Sequence, residues 1–236
     1  MSSTGMSPSA SSRSDTRVVI VEDHQLFAES LDLALTMDGY DVRRIAPPDA
    51  STTVASLLAD VLRQRPRIVL LDLDLGAFGD TVRVIAPLVR SGADVVIVTA
   101  NDDRGRWGEC LQHGARTVVS KSDPLNGILA VVRRLHQALP VLALEEREAL
   151  LRAWTQERRE LAVATERLER LTRRERQVLG MLMLGRTVRE IAALDVVSEA
   201  TVRTQVKSIL GKLEVSSQLA AVGLAHQLRW EPPHTP

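Results

Sequence analysis

The chain has 236 residues, 44% of them hydrophobic and only 3% aromatic, with 30 basic and 30 acidic side chains that cancel. That length fits one large or two ordinary domains with aliphatic cores, and zero net charge argues against a protein that coats nucleic acid uniformly. No apolar run approaches the roughly 18–20 residues that span a bilayer, so no membrane association is expected. No apolar signal region follows the N-terminus, and the single Cys110 rules out an intramolecular disulfide, so a cytoplasmic location is expected.

In chain order, residues 1–15 are rich in Ser with little apolar content, which predicts a disordered lead-in. From Arg17 short apolar runs alternate with helical patterns. Strands are predicted at 17–21, 41–45, 67–71, 94–99 and 116–120, and helices at about 25–38, 50–64, 80–91, 103–113 and 124–138. Five such units imply right-handed crossovers and a five-stranded, doubly wound parallel sheet, an α/β domain over 16–139. Residues 143–170 lack Gly and Pro, which predicts one long helix within a helical linker at 140–170. Leu150, Trp154, Leu161, Ala164, Leu168 and Leu171 form a heptad-like seam broken by Glu157. It fits either a short coiled coil between protomers or a connecting helix whose stripe packs on its own domains.

Beyond Leu171 four short helices without strands are expected, an all-α domain over 171–230 followed by a disordered Pro-rich tail at 231–236. Thr172-Arg-Arg-Glu175 has the form of a capping box, and Gly185 falls where a left-handed cap would close that helix. A short helix at 187–193, a turn, a helix at 199–213 capped by Ser198 and a last helix at about 217–229 complete the domain. Residues 171–236 carry 9 basic and 6 acidic side chains, a weak basic excess that suits nucleic acid.

Chemistry gathers at the carboxyl ends of the predicted strands, where ligand sites of open α/β sheets lie. Glu22 and Asp23 follow the first strand, Asp72 the third, Thr99 ends the fourth and Lys121 follows the fifth. Three acids, a hydroxyl and an ammonium describe a site for a divalent cation and a phosphoryl group. A carboxylate serves as a nucleophile toward phosphorus, and the charge of the transferred group needs a cation such as Mg²⁺ and a fixed ammonium beside it. Asp72 is the candidate nucleophile, Glu22 and Asp23 the candidate ligands, Lys121 the phosphate's counter-charge and Thr99 its hydrogen-bond donor. One acid after a buried strand is common; five matched positions are not. Only three of the basic residues are lysines, Lys121, Lys207 and Lys212, which suggests positions where the fork of arginine does not fit.

At 100° per residue, Val202, Val206, Ile209 and Leu213 fall on one stripe of the 199–213 helix, with Leu210 at its edge. Ala200, Arg203, Thr204, Lys207 and Ser208 fall on the opposite face, where small and basic residues suit a major groove. Gln205 and Lys212 lie on a flank suited to phosphates. With the preceding short helix and turn this makes a helix-turn-helix.

Residues 17–138 resemble the receiver domain of two-component response regulators. The stretch 171–228, through Leu171-Thr172-Arg-Arg-Glu175, Glu190-Ile191-Ala192, Ser198-Glu-Ala-Thr201-Val202 and Lys212-Leu213, resembles the LuxR-type DNA-binding domain. Together they resemble the NarL/FixJ family. The resemblance implies that Asp72 accepts phosphate from a sensor histidine kinase, with Mg²⁺ held by Asp23, Asp72 and the backbone carbonyl of Asp74. It also implies that Thr99 moves toward the phosphate and that a homodimer forms when phosphorylated or on double-stranded DNA. Three departures stand out. Asp74-Leu75-Gly76 replaces a Met-Pro-Gly common in the family, Val118 stands where the family usually has a switching aromatic, and Asp74 and Asn101 occupy positions that in the family often modulate acyl-phosphate lifetime.

The expected function is a phosphorylation-gated transcription regulator rather than an enzyme. A ligand-binding N-terminal domain is opposed by the acidic constellation. A phosphorylation-independent regulator that uses its receiver only to dimerise stays open because of Val118.

Overall fold

The computed structural model describes residues 12–47, 49 and 51–232; the expected lead-in through residue 11 and the tail from 233 lie outside the described residues. The chain divides into two units after Thr155.

The first unit contains β1 (Arg17–Val21), α1 (Gln25–Met37), β2 (Asp41–Arg44), α2 (Val54–Arg63), β3 (Ile68–Asp72), β4 (Asp74–Leu75), β5 (Gly79–Asp80), α3 (Val82–Arg90), β6 (Asp94–Thr99), α4 (Arg104–Gln112), β7 (Thr117–Ser120) and α5 (Leu125–His136). Five strands pair in parallel in the order β2-β1-β3-β6-β7. Because β1 pairs with β2 on one side and β3 on the other, a crevice opens past their carboxyl ends, and Glu22, Asp23 and Asp72 stand there.

Alternation along the central strands sorts their aliphatic side chains into two cores. Val19, Val21, Val69, Leu71, Val95 and Ile97 meet residues of α2, α3 and α4, among them Leu57, Ile85, Leu88 and Cys110. Val18, Ile20, Ile68, Leu70, Val96 and Val98 meet α1 and α5 through Leu31, Leu35, Ile128 and Val132. Each fully buried side chain of this kind contributes about 1.5–3 kcal/mol. Burial pushes the Cys110 thiol up to about 12, which agrees with a core role.

Some boundaries differ from expectation. Residues Arg13–Asp15 form a single 3-10 turn. Helix α2 begins at Val54, not near 50, because Thr53 and Ser56 form a reciprocal cap. The antiparallel pair β4–β5 was not expected; two-residue strands are too short for alternation to show.

Helix α6 (Leu144–Glu169) is the expected long helix, and the division of the chain falls within it. Its seam is covered by the chain itself. Leu150 belongs to the core with α4, where a Cβ on Gly108 would lie 2.1 Å from the Leu150 carbonyl oxygen. Leu168 and Leu171 belong to the core of the second unit.

The second unit adds α7 (Arg173–Met183), α8 (Val188–Leu194), α9 (Glu199–Leu213) and α10 (Gln218–Gln227). Val178, Leu179, Ile191, Val202, Val206, Ile209 and Leu213 make its core, so the predicted stripe of α9 is buried. The Thr172–Glu175 capping box opens α7. Gly185, at φ +76°, follows its end; its amide donates to Leu182 and the Arg186 amide to Met181, the paired bonds of a Schellman motif.

Candidate functional site

At the carboxyl ends of β1, β3, β6 and β7 the five expected residues share one neighbourhood. Asp72 is the last residue of β3 and only 3% exposed. Lys121, just past β7, donates to Asp72 Oδ2 at 2.7 Å and lies 2.7–2.8 Å from both oxygens of Glu22. Its ammonium also sits 5.5 Å from the centre of the Phe27 ring. The Asp74 amide donates to Asp72 Oδ1 at 3.2 Å, and Thr81 Oγ1 donates to the carbonyls of Asp72 and Leu73. A cavity of about 300 Å³ lies over the site, lined by His24, Asp72, Asp74, Thr99, Asn101 and Lys121.

Burial pushes the Asp72 carboxyl up to about 6; Lys121 pulls it back and the Glu22 charge adds to the rise. Burial also opposes the Lys121 charge, but its hydrogen bonds to Asp72 and Glu22 outweigh that and its pKa is raised. Glu22, Asp23, His24 and Asp72 each present a ligand atom within 4.8 Å of the others. Among the described residues Asp23 Oδ1 is buried and accepts no hydrogen bond, although His24 Nδ1 approaches to 2.9 Å. A carboxylate-rich set with a buried oxygen that accepts no hydrogen bond fits a hard divalent cation.

Thr99 ends β6 and is buried. Its hydroxyl accepts the Asn101 amide at 3.1 Å, and the Asn101 carbonyl accepts Trp107 Nε1 of α4 at 2.7 Å. Val118 is buried among the α2–α4 core residues.

In the second unit the residues expected to meet DNA separate into two groups. Arg203, Thr204 and Lys207 are exposed on α9, and Lys207 has no side-chain partner among the described residues. Arg203 pairs with Glu199 one turn away at 2.9 Å. Ser208 and Lys212 instead donate to Glu175 of α7, at 2.7 and 2.6 Å. Gln205 is half-buried, and its Oε1 accepts no hydrogen bond among the described residues.

A family profile for the response regulator receiver domain matches residues 18–133, and one for bacterial regulatory proteins of the luxR family matches residues 169–225. The chain belongs to the NarL/FixJ family of response regulators. This regulator is therefore a DNA-binding transcription regulator of a two-component system, and its family is one of transcription factors, not enzymes. It is similar to the "probable transcriptional regulatory protein NarL" of Mycobacterium tuberculosis, 29% identical over 214 residues that cover 90% of this chain and 94% of the relative. The nitrate/nitrite response regulator protein NarP of Escherichia coli is 28% identical over 218 residues, 90% and 95% of the two chains. A solved RcsB response regulator from Salmonella typhimurium overlaps 90% of this chain and 98% of its own at 19% identity, with a TM-score of 0.46. Among the described residues no helix is long and apolar enough to cross a membrane.

Sequence reasoning passed over four residues. His24 reads as one more polar loop residue. Gly76, at φ +39°, makes room for Asp23, whose Oδ2 a Cβ there would approach to 2.8 Å. Its signal was the glycine following Asp74-Leu75. Thr81 had none, because its bonds span eight and nine residues. Glu175 was legible only as a cap.

Proposed function

We propose that this regulator accepts a phosphoryl group on Asp72 from a partner histidine kinase in the cytoplasm. The modification gates self-association and sequence-specific binding to double-stranded DNA. The receiver spans 16–139, the linker 140–170 and the DNA-binding domain 171–230. The observation that carries this reading is a buried Asp72, pushed up to about 6, bonded to Lys121 and open to a cavity. Glu22, Asp23 and Asp72, with the Asp74 backbone carbonyl, would hold Mg²⁺, which supplies positive charge to the phosphoryl oxygens. The Asp72 carboxylate oxygen attacks phosphorus while the donor imidazole leaves, giving an acyl phosphate. Lys121 then meets a phosphoryl oxygen.

Coupling runs through Thr99. When its hydroxyl turns to the phosphoryl group, the Asn101 amide loses its acceptor and Asn101 also holds Trp107. With Val118 in the aromatic's usual place, this link carries the change to α4. On DNA, Arg203, Thr204 and Lys207 face the major groove and Gln205 flanks it. Contact by Ser208 or Lys212 requires release from Glu175.

Val118 favours a second reading, in which the receiver dimerises without phosphorylation. Intact mass and size-exclusion analysis of wild type and Asp72→Asn, with Mg²⁺ and acetyl phosphate, separates the two. The expected result is one phosphoryl gain in wild type alone, with an elution shift. A gain without the shift places the output in DNA-assisted pairing, and no gain even with candidate kinases supports the second reading.

A further inference from the structure

The receiver has a second charged cavity at the end of the sheet away from Asp72. It measures about 350 Å³ and lies where Arg67 precedes β3, Asp94 begins β6 and Arg116 precedes β7. Arg147 of α6 completes its charged lining. Three guanidiniums thus face one carboxylate. Arg116 Nε donates to Asp94 Oδ1 at 2.7 Å, and an Arg67 nitrogen stands 3.6 Å from the other oxygen. Asp94 is committed to these two.

Arg147 is different. It is half-buried, and its one hydrogen bond among the described residues is a 3.3 Å contact with the Leu111 carbonyl; no carboxylate there pairs with it. A partly desolvated cation without an anion is costly, and a guanidinium fork matches a carboxylate or phosphate in two parallel bonds. The remaining wall is apolar, made by Leu135, Leu139, Val141 and Leu142. It is shaped by a turn after α5. Ala138 takes φ +55°, the Leu139 amide returns to the Arg134 carbonyl at 2.8 Å, and Arg134 Nε donates to the Pro140 carbonyl at 2.7 Å. The cavity therefore joins a cationic side to an aliphatic side, within the size range of small-ligand sites.

We propose that this cavity binds a small amphipathic oxyanion, a carboxylate or phosphate head on an aliphatic body. The head sits among Arg147, Arg67 and Arg116, and the body lies on the Leu135–Leu142 wall. Because Arg147 is on α6 and the other two arginines are on strand ends, the ligand fastens the start of α6 to the sheet. This site takes no residue from the phosphoacceptor pocket, so it stands whether or not Asp72 is phosphorylated.

The test is isothermal titration of the full chain at constant ionic strength, below micelle formation, with octanoate, octyl phosphate, 1-octanol and inorganic phosphate. Expected is saturable one-to-one binding of octanoate, octyl phosphate or both; which of them binds identifies the head. Octanol and inorganic phosphate should bind at least about tenfold more weakly, because each lacks half of the recognition. Arg147→Gln and Arg67→Gln should each weaken binding about tenfold, whereas Arg83→Gln, on α3, should leave it unchanged. Thermal unfolding of each variant checks that it is folded, and the exposed Arg67 serves if Arg147→Gln is not. The proposal is overturned if neither amphiphile binds saturably, or if neither lining arginine matters. Inorganic phosphate binding as tightly as octyl phosphate also overturns it.

Discussion

Each unit of this regulator holds a buried carboxylate against a lysine, and the two are tuned in opposite directions. Asp72 is pushed up to about 6, whereas Glu175 is held down at about 2. Burial raises both. The difference lies in the donors. Asp72 shares its one lysine with Glu22 and otherwise accepts a 3.2 Å bond from the Asp74 amide. Glu175 accepts from Lys212, Ser208 and the Thr172 amide at 2.6–2.7 Å, and no second acid among the described residues competes for Lys212. A carboxylate with unshared donors is a structural tie. One whose lysine is divided keeps an affinity for added positive charge or an electrophile, which a phosphoacceptor needs.

The largest expected effect comes from dismantling the structural tie. Glu175→Gln should destabilise the protein by about 1–3 kcal/mol at pH 7, since it leaves Lys212 without its counter-charge. A depressed carboxylate contributes stability above its unfolded pKa and loses it as pH falls through the folded value. The deficit of the variant should therefore shrink between about pH 4.5 and 2 in chemical denaturation. A constant deficit across that window would contradict the assignment.

Asp72→Asn should act in the opposite sense. With a raised folded pKa, the protonated Asp72 carboxyl is favoured by the fold; that advantage is full below the unfolded pKa, near 3.8, and is lost as pH rises through about 6. In Mg²⁺-free buffer the variant should gain on the order of 1–2 kcal/mol at pH 7 and nothing at pH 3.5. Equal melting curves at both pH values would show that Asp72 is not strained by its surroundings.

The two lysines of α9 sharpen the contrast. Lys212→Gln should lower stability by about 1 kcal/mol. Lys207→Gln should leave stability unchanged but weaken DNA binding uniformly across sequences, reducing the slope of log affinity against log salt by about one. Exchange of these phenotypes would reverse their roles. Gly76→Ala should cost about 1 kcal/mol through the left-handed backbone, with weaker Mg²⁺ binding as Asp23 is displaced. Mg²⁺ titration followed by tryptophan fluorescence reads it.

Much of this was legible in one dimension because it follows local periodicity. The apolar runs ending in Asp72 and Thr99, the buried stripe Val202, Val206, Ile209 and Leu213, and the Thr172–Glu175 box are each set by residues only a few positions apart. The seam of α6 was ambiguous, because a heptad pattern reads the same whether its cover is another chain or its own; Leu150 and Leu168 turned out to be buried within the chain.

By itself, then, the amino-acid order determined which residues stand at the strand ends and which face of α9 is polar, since backbone geometry alone sets both. Only the tertiary structure decided how charges are shared. Lys121 bridges to Glu22 across 99 residues, Lys212 reaches Glu175 across 37, and Arg147 lines a cavity with Arg67, Asp94 and Arg116 while pairing with no carboxylate among the described residues. Burial and donor count, unlike periodicity, depend on residues far apart in the chain, and they separate a reactive carboxylate from a structural one.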